Sequence, residues 1–255
     1  MLTATRCAAR PCPKPHLAAA ELDRDLARRA TAEAVGTALL VAVVVGSGIF
    51  AQRLSHDVGL QLLENSIATG AGLIALILAF GPVSGAHFNP VVTLADRLLG
   101  GLSTRDAVSY VVAQIIGGCV GCVVANLMFD LSAVTLSTHT RSSGGLWLGE
   151  VVATFGLVMV ILGVVRSGRV NAAPFAVGGY IAAAYWFTSS TSFANPAVTI
   201  ARSLTDTFAG IRPSSAPLFV VFEVVGGLAA VGLARFLYPS IPAEEIVVPH
   251  EGASA

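Results

Sequence analysis

Asparagine followed by proline occurs twice in this chain, in Ser84-Gly85-Ala86-His87-Phe88-Asn89-Pro90-Val91 and, 106 residues later, in Ser192-Phe193-Ala194-Asn195-Pro196-Ala197. Proline at a first helical position is preorganised for a helix start, and the Asn before it caps that start through its side-chain oxygen. The side-chain NH₂ is then free to donate to a solute. Each helix start also carries about half a positive charge. Two of them meeting head to head would repel cations and offer donors to the oxygen of a neutral molecule. One such pair alone reads as a helix start at a turn, whereas two at matching places in two halves imply a shared site.

Other groups could also do chemistry. Glu33 and Glu150 lie in apolar stretches, where an ionisable side chain raises the question of a proton relay. Cys119 and Cys122 sit three apart, as in a redox or metal pair, but Gly117, Gly118 and Gly121 mark the same stretch as close-packed, and small packing residues are the plainer reading. Cys7 and Cys12 fall in a basic N-terminal stretch and read as reduced thiols. His87, His139 and the acids give no metal-ligand spacing and no nucleophile–base pair, so neither a metal, a cofactor nor an enzyme is read from the chain.

The elements that must position these residues are membrane helices. Hydrophobic residues make up 55 % of the 255 and charged ones 12 %, with a mean hydropathy of +0.77, beyond what a soluble domain of this size carries. Fifteen basic and fifteen acidic residues leave no basic surface for nucleic acid. Crossing about 30 Å of hydrocarbon takes roughly 20 helical residues. The stretches near 31–51, 62–83, 106–129, 147–165, 171–190 and 216–238 qualify. Two apolar pieces near 87–98 and 193–204 are too short to cross and each follows a span directly. They read as re-entrant half-helices, whose irregular backbone is tolerated at depth only inside protein or along a water-filled cavity.

Residues 1–30 hold six basic side chains and no long apolar core, which reads as a disordered basic tail and not a cleaved signal peptide. Residues 240–255 form a second tail. With both termini on one side, eleven Lys and Arg fall on that side and four on the other, so the termini are expected in the cytoplasm.

The halves match beyond the Asn-Pro pairs. Glu33-Ala34-Val35-Gly36-Thr37 opens the first span and Glu150-Val151-Val152-Ala153-Thr154 the fourth. Ala113-Gln114-Ile115-Ile116-Gly117-Gly118 in the third span answers Phe222-Glu223-Val224-Val225-Gly226-Gly227 in the sixth. Three spans per half is an odd number, so repeat two (147–238) enters the membrane upside down relative to repeat one (31–129).

With these motifs the chain resembles the major intrinsic protein family, the aquaporins and aquaglyceroporins, over about residues 31 to 239. The resemblance implies six transmembrane helices plus two re-entrant half-helices in an inverted repeat, with a pore junction at Asn89, Pro90, Val91, Asn195, Pro196 and Ala197. Val91 stands where the family usually has Ala. By the same resemblance Glu33 and Glu150 accept hydrogen bonds from loop N–H groups, and His87 lines the cytoplasmic side of the pore. The family's narrowest ring lies at fixed offsets from the boxes, which fall here on Thr69, Ala183, Ser192 and Val198. Water-selective relatives carry Phe, His, a small residue and Arg there, and glycerol-type ones Trp, Gly, Phe and Arg. The offsets therefore imply a wide, neutral, hydroxyl-bearing ring without the usual arginine. Arg202, a turn beyond Val198, is expected to leave its charge in the outer vestibule.

The stretch from Thr191 to Gly210 is similar to bacterial aquaglyceroporins found with arsenic-resistance systems. It implies a bacterial cell-membrane channel for small neutral solutes, among them arsenite or methylated arsenicals, assembled in the bilayer as a homotetramer. A water-selective aquaporin and a proton-coupled secondary transporter are the alternative readings.

Overall fold

A computed structural model describes residues 15–238, with side chains from Asp23 onward. Eight α-helices follow one another: α1 (Pro15–Leu54), α2 (Val58–Ser84), α3 (Pro90–Leu99), α4 (Thr104–Met128), α5 (Gly144–Arg166), α6 (Ala173–Phe187), α7 (Pro196–Ala201) and α8 (Ala216–Leu237). Short polar side chains set the starts: Asp57 accepts from Leu60 N, Ser103 from Asp106 N and Ser143 from Leu146 N, each meeting an N–H that the helix itself leaves unpaired. Gly85 and Gly100 end α2 and α3 with φ of 83° and 94°, in the left-handed region that only glycine adopts without strain.

Among the described residues the fold is all-helical, with five helices long enough to span, the shorter α6, and two re-entrant half-helices. Helices α1, α2, α4, α5 and α8 are each long and apolar enough to cross a membrane. Helix α6, at 15 residues, spans only about 22 Å, and a 3₁₀ turn over Val170–Ala172 leads into it. Outward faces are apolar: Val108, Val112, Ile116, Val120 and Val124 form an exposed stripe at i, i+4 spacing along α4. Such a stripe suits lipid or another apolar helix.

Small residues let the inner helices close. A Cβ on Gly117 or Gly121 of α4 would collide with the Ala34 or Ala38 carbonyl of α1, and one on Gly226 of α8 with the Val151 carbonyl of α5. Backbone-to-backbone approach of this kind is how membrane helices gain packing without a hydrophobic driving force. Cys122, completely buried, is part of the resulting core beside Val41, Val45 and Ala125, and both Cys119 and Cys122 are free thiols. Cys7 and Cys12 lie outside the described residues.

The tail expected over residues 1–30 is helical from Pro15, where α1 begins and runs unbroken to Leu54; residues 1–14 and 240–255 lie outside the described residues. Leu26 packs on Leu102, Ala107 and Tyr110, and Arg29 bonds Asp25 at 2.7 Å and Asp106 at 3.0 Å. Charge pairing and a small apolar contact carry this part of the helix, so its sequence shows no long apolar run.

Candidate functional site

Half-helices α3 and α7 enter from opposite repeats and each starts at its Asn-Pro pair. Asn89 caps α3 through Oδ1, which accepts from Val91 N at 2.9 Å. Asn195 caps α7 by accepting from Ala197 N and Val198 N at 3.0 and 3.3 Å. The two asparagines also lock across the junction: Asn89 Nδ2 donates to the Ala194 carbonyl at 2.6 Å, and Asn195 Nδ2 to the Phe88 carbonyl at 2.7 Å. One N–H of each amide is therefore used in the brace. The sequence reading left both N–H groups of each amide free.

The loops before the boxes are strained in the same pattern. Ala86 and Phe88 in the first, and Ser192 and Ala194 in the second, have φ between 49° and 52°, a left-handed conformation that non-glycine residues avoid. Buried acids hold it. Glu33 accepts from His87 N and Phe88 N at 3.0 and 2.7 Å, and Glu150 from Phe193 N and Ala194 N at 3.0 and 2.7 Å. Ser84 Oγ and Gln114 Nε2 also donate to Glu33, at 2.6 and 2.7 Å. Both acids are fully buried and neither faces the cavity, which fits acceptors for loop N–H groups.

One cavity runs past both boxes, lined by Asn89 and Asn195, by His87, and by apolar side chains such as Leu73, Ile77 and Val92. His87 Nδ1 meets Thr93 Oγ1 at 3.1 Å, and its Nε2 lies 3.7 Å from Asp96.

The offsets identify only part of the wall. Thr69, Ser192 and Val198 line the cavity, but Ala183 is exposed on the outside of α6. The cavity face of α6 is Ala173, Val177, Ile181 and Tyr185, one stripe at i, i+4 spacing. Ala183, two residues from Tyr185, is turned about 200° away from that stripe. Tyr185 Oη meets Thr69 Oγ1 at 3.1 Å, so an aromatic hydroxyl stands where the offset reading put a methyl group. A helical-period reading of α6 would have found this face. Ser192 Oγ is buried and has no hydrogen-bond partner among the described residues.

Arg202 also departs from expectation. It lies in the cavity wall and is 2 % exposed, because the chain tightens into a 3₁₀ turn over Arg202–Leu204 directly after α7. Its Nε donates to the Ala209 carbonyl, and its guanidinium carbon lies 3.5 Å from the centre of the Phe193 ring, a cation–π contact. Arg141, from the loop before α5, stands 5.1 Å from the same ring and donates to the Gly210 carbonyl at 3.1 Å. Burial lowers the pKa of Arg141, against the pull of Glu150 and Tyr185. Further out, Asp206 accepts from Thr138 N at 2.8 Å, and this bond holds its carboxyl below the usual range.

Paired re-entrant helices, crossed Asn-Pro boxes and a continuous cavity define a membrane channel. The profile described as major intrinsic protein matches residues 22–192, and the chain belongs to that family. It is 53 % identical to aquaglyceroporin AqpS of Rhizobium meliloti (strain 1021) over 223 residues, 88 % of this chain and 94 % of that protein. It is 30 % identical to the probable aquaporin AqpM of Archaeoglobus fulgidus over 243 residues, 83 % and 97 % of the two chains. The solved aquaglyceroporin from Plasmodium falciparum superposes with a TM-score of 0.69 at 20 % identity, covering 84 % of this chain and 98 % of that one, a likeness of fold.

Proposed function

We propose that this channel passes small uncharged solutes: water, glycerol-like polyols, and metalloid hydroxides such as arsenite or methylated arsenicals. The observation that carries the reading is the junction, where both asparagine amides keep one N–H for a solute beside two helix starts. Neutral oxygens meet donors there, and cations meet a positive potential. Undissociated arsenous acid resembles a small polyol in size and hydroxyl display. The 53 % identity to a protein named an aquaglyceroporin supports polyols over water alone.

The ring consists, in this reading, of Thr69, Tyr185, Ser192 and Val198, with Arg202 at its rim. Val198 holds the usual arginine position, and a guanidinium set back by one turn takes the place of the arginine-free ring expected from the offsets. Three hydroxyls then face the solute, each able to donate or accept. A water-selective channel is less well supported, because the ring lacks the Phe and His of that class. The protein works as a homotetramer in the bacterial cell membrane, termini in the cytoplasm, as the excess of basic residues on that side favours.

Purified protein in liposomes, shrunk osmotically with water, glycerol, urea or arsenous acid and followed by light scattering, tests this reading. Fast glycerol and arsenous acid entry is expected, and entry of water alone would favour the water-selective alternative.

A further inference from the structure

The helix pairs that carry the two box-holding acids share one register. Gly117 presses on the carbonyl of Ala34, next to Glu33, and Gly226 presses on the carbonyl of Val151, next to Glu150. Three residues before each glycine stand Gln114 and Glu223, both completely buried. Each meets the threonine one turn into its half-helix, Thr93 or Thr199. Glu223 thus occupies in the second repeat the place that Gln114 occupies in the first.

The chemistry at that place differs. Gln114 Nε2 donates to Glu33 Oε2 at 2.7 Å and to Thr93 Oγ1 at 2.9 Å. Glu223 has no N–H to give. Its Oε1 accepts from Thr199 Oγ1 at 2.5 Å. Its Oε2 is buried with no hydrogen-bond partner among the described residues, although Glu150, the counterpart of Glu33, is its neighbour. Ionised carboxylates only accept, so two of them side by side cannot bond, and burying both charges is costly. Arg141 and Arg202 direct their hydrogen bonds to the carbonyls of Gly210, Ser190 and Ala209 and bond neither acid.

We infer that Glu223 is held as a carboxylic acid whose O–H donates to Glu150, doing for the second box what the Gln114 amide does for the first. Both Glu150 oxygens then stay in acceptor form for Phe193 N and Ala194 N. Neither acid lines the cavity, so the proton is a fixed structural one and not part of a relay along the pore. Glu223 acts through Glu150 and is a positioning residue, whichever solute crosses.

Infrared spectroscopy on the full-length protein in liposomes at neutral pH tests this directly. The carbonyl stretch of a protonated carboxylic acid should be present, shift in D₂O, and vanish in E223Q. Osmotic water flux supplies the second readout. E223Q restores the amide of the first repeat and should keep the parental flux, while E223M leaves Glu150 without its donor and should lower flux about tenfold. Absence of the infrared band in the parent, or its survival in E223Q, would overturn the inference. Equal loss of flux in E223Q and E223M would also overturn it, since the carboxyl itself would then be required. If E223M does not assemble, the band and the flux of E223Q still decide.

Discussion

Asn89 and Asn195, 106 residues apart in sequence, each donate from Nδ2 to the backbone of the other's loop, at 2.6 and 2.7 Å. The same side chains cap α3 and α7 through Oδ1. Helix start and loop brace are thus two uses of one amide, the proposed function adds solute donor as a third, and a change at either Asn tests all three.

Asn195→Asp keeps the capping oxygen and replaces the donor with a carboxylate at the junction. Proton and Na⁺ leak in liposomes should rise at equal protein density while the helical fold survives. Leak equal to that of the parent would remove the electrostatic role given to the junction.

Glu150 receives two N–H groups from a strained loop. Glu150→Leu strands both donors at about 1–3 kcal/mol each, whereas Glu150→Gln keeps one acceptor oxygen and should lose less thermal stability and less flux. Thermal unfolding and water flux check the order. Equal losses in folded protein would point to protonation chemistry at Glu150.

The wall of α6 gives a test of placement. Tyr185→Ala opens the ring beside Thr69 and should raise glycerol flux more than water flux, while Ala183→Leu adds bulk on the outer face and should change neither. A block by Ala183→Leu would restore the offset mapping. Val198→Arg adds a long cationic side chain to the ring and should lower glycerol and arsenous acid flux far more than water flux, because a narrowed gap excludes larger solutes first.

Asp206 ties the loop before α5 to the segment after α7, and its carboxyl is held below the usual value of 3.8 by the Thr138 N–H. A depressed folded-state pKa stabilises above the unfolded value and loses that contribution as pH falls through the folded value. Asp206→Asn should therefore unfold at a lower temperature than the parent at neutral pH. The gap should close below about pH 4. A gap that does not change with pH would mean that the carboxylate charge is not what holds the loops.

Features with a period or a repeat were legible in the sequence. Five spans and the two half-helices follow from apolar runs and from the match between halves, and helices stand there, while the span expected near 171–190 is a helix of 15 residues. The α6 wall was not legible from box offsets, because a count along the chain ignores how α6 ends at Phe187 and how the loop returns to Asn195; helical phase puts Tyr185 where the count put Ala183. The burial of Arg202 in the cavity wall was not legible, because the chain tightens into a 3₁₀ turn directly after α7. The first half of α1 was missed because ion pairs such as Arg29–Asp106 join residues 77 positions apart, which no local pattern records.

The central claim, passive passage of neutral solutes, is tested most directly by glycerol flux into liposomes over a wide range of glycerol gradients, with and without an imposed pH gradient. Flux is expected to rise in proportion to the glycerol gradient and not to respond to the proton gradient. Flux that saturates at low glycerol, or that requires the proton gradient, would contradict it and make the protein a coupled transporter.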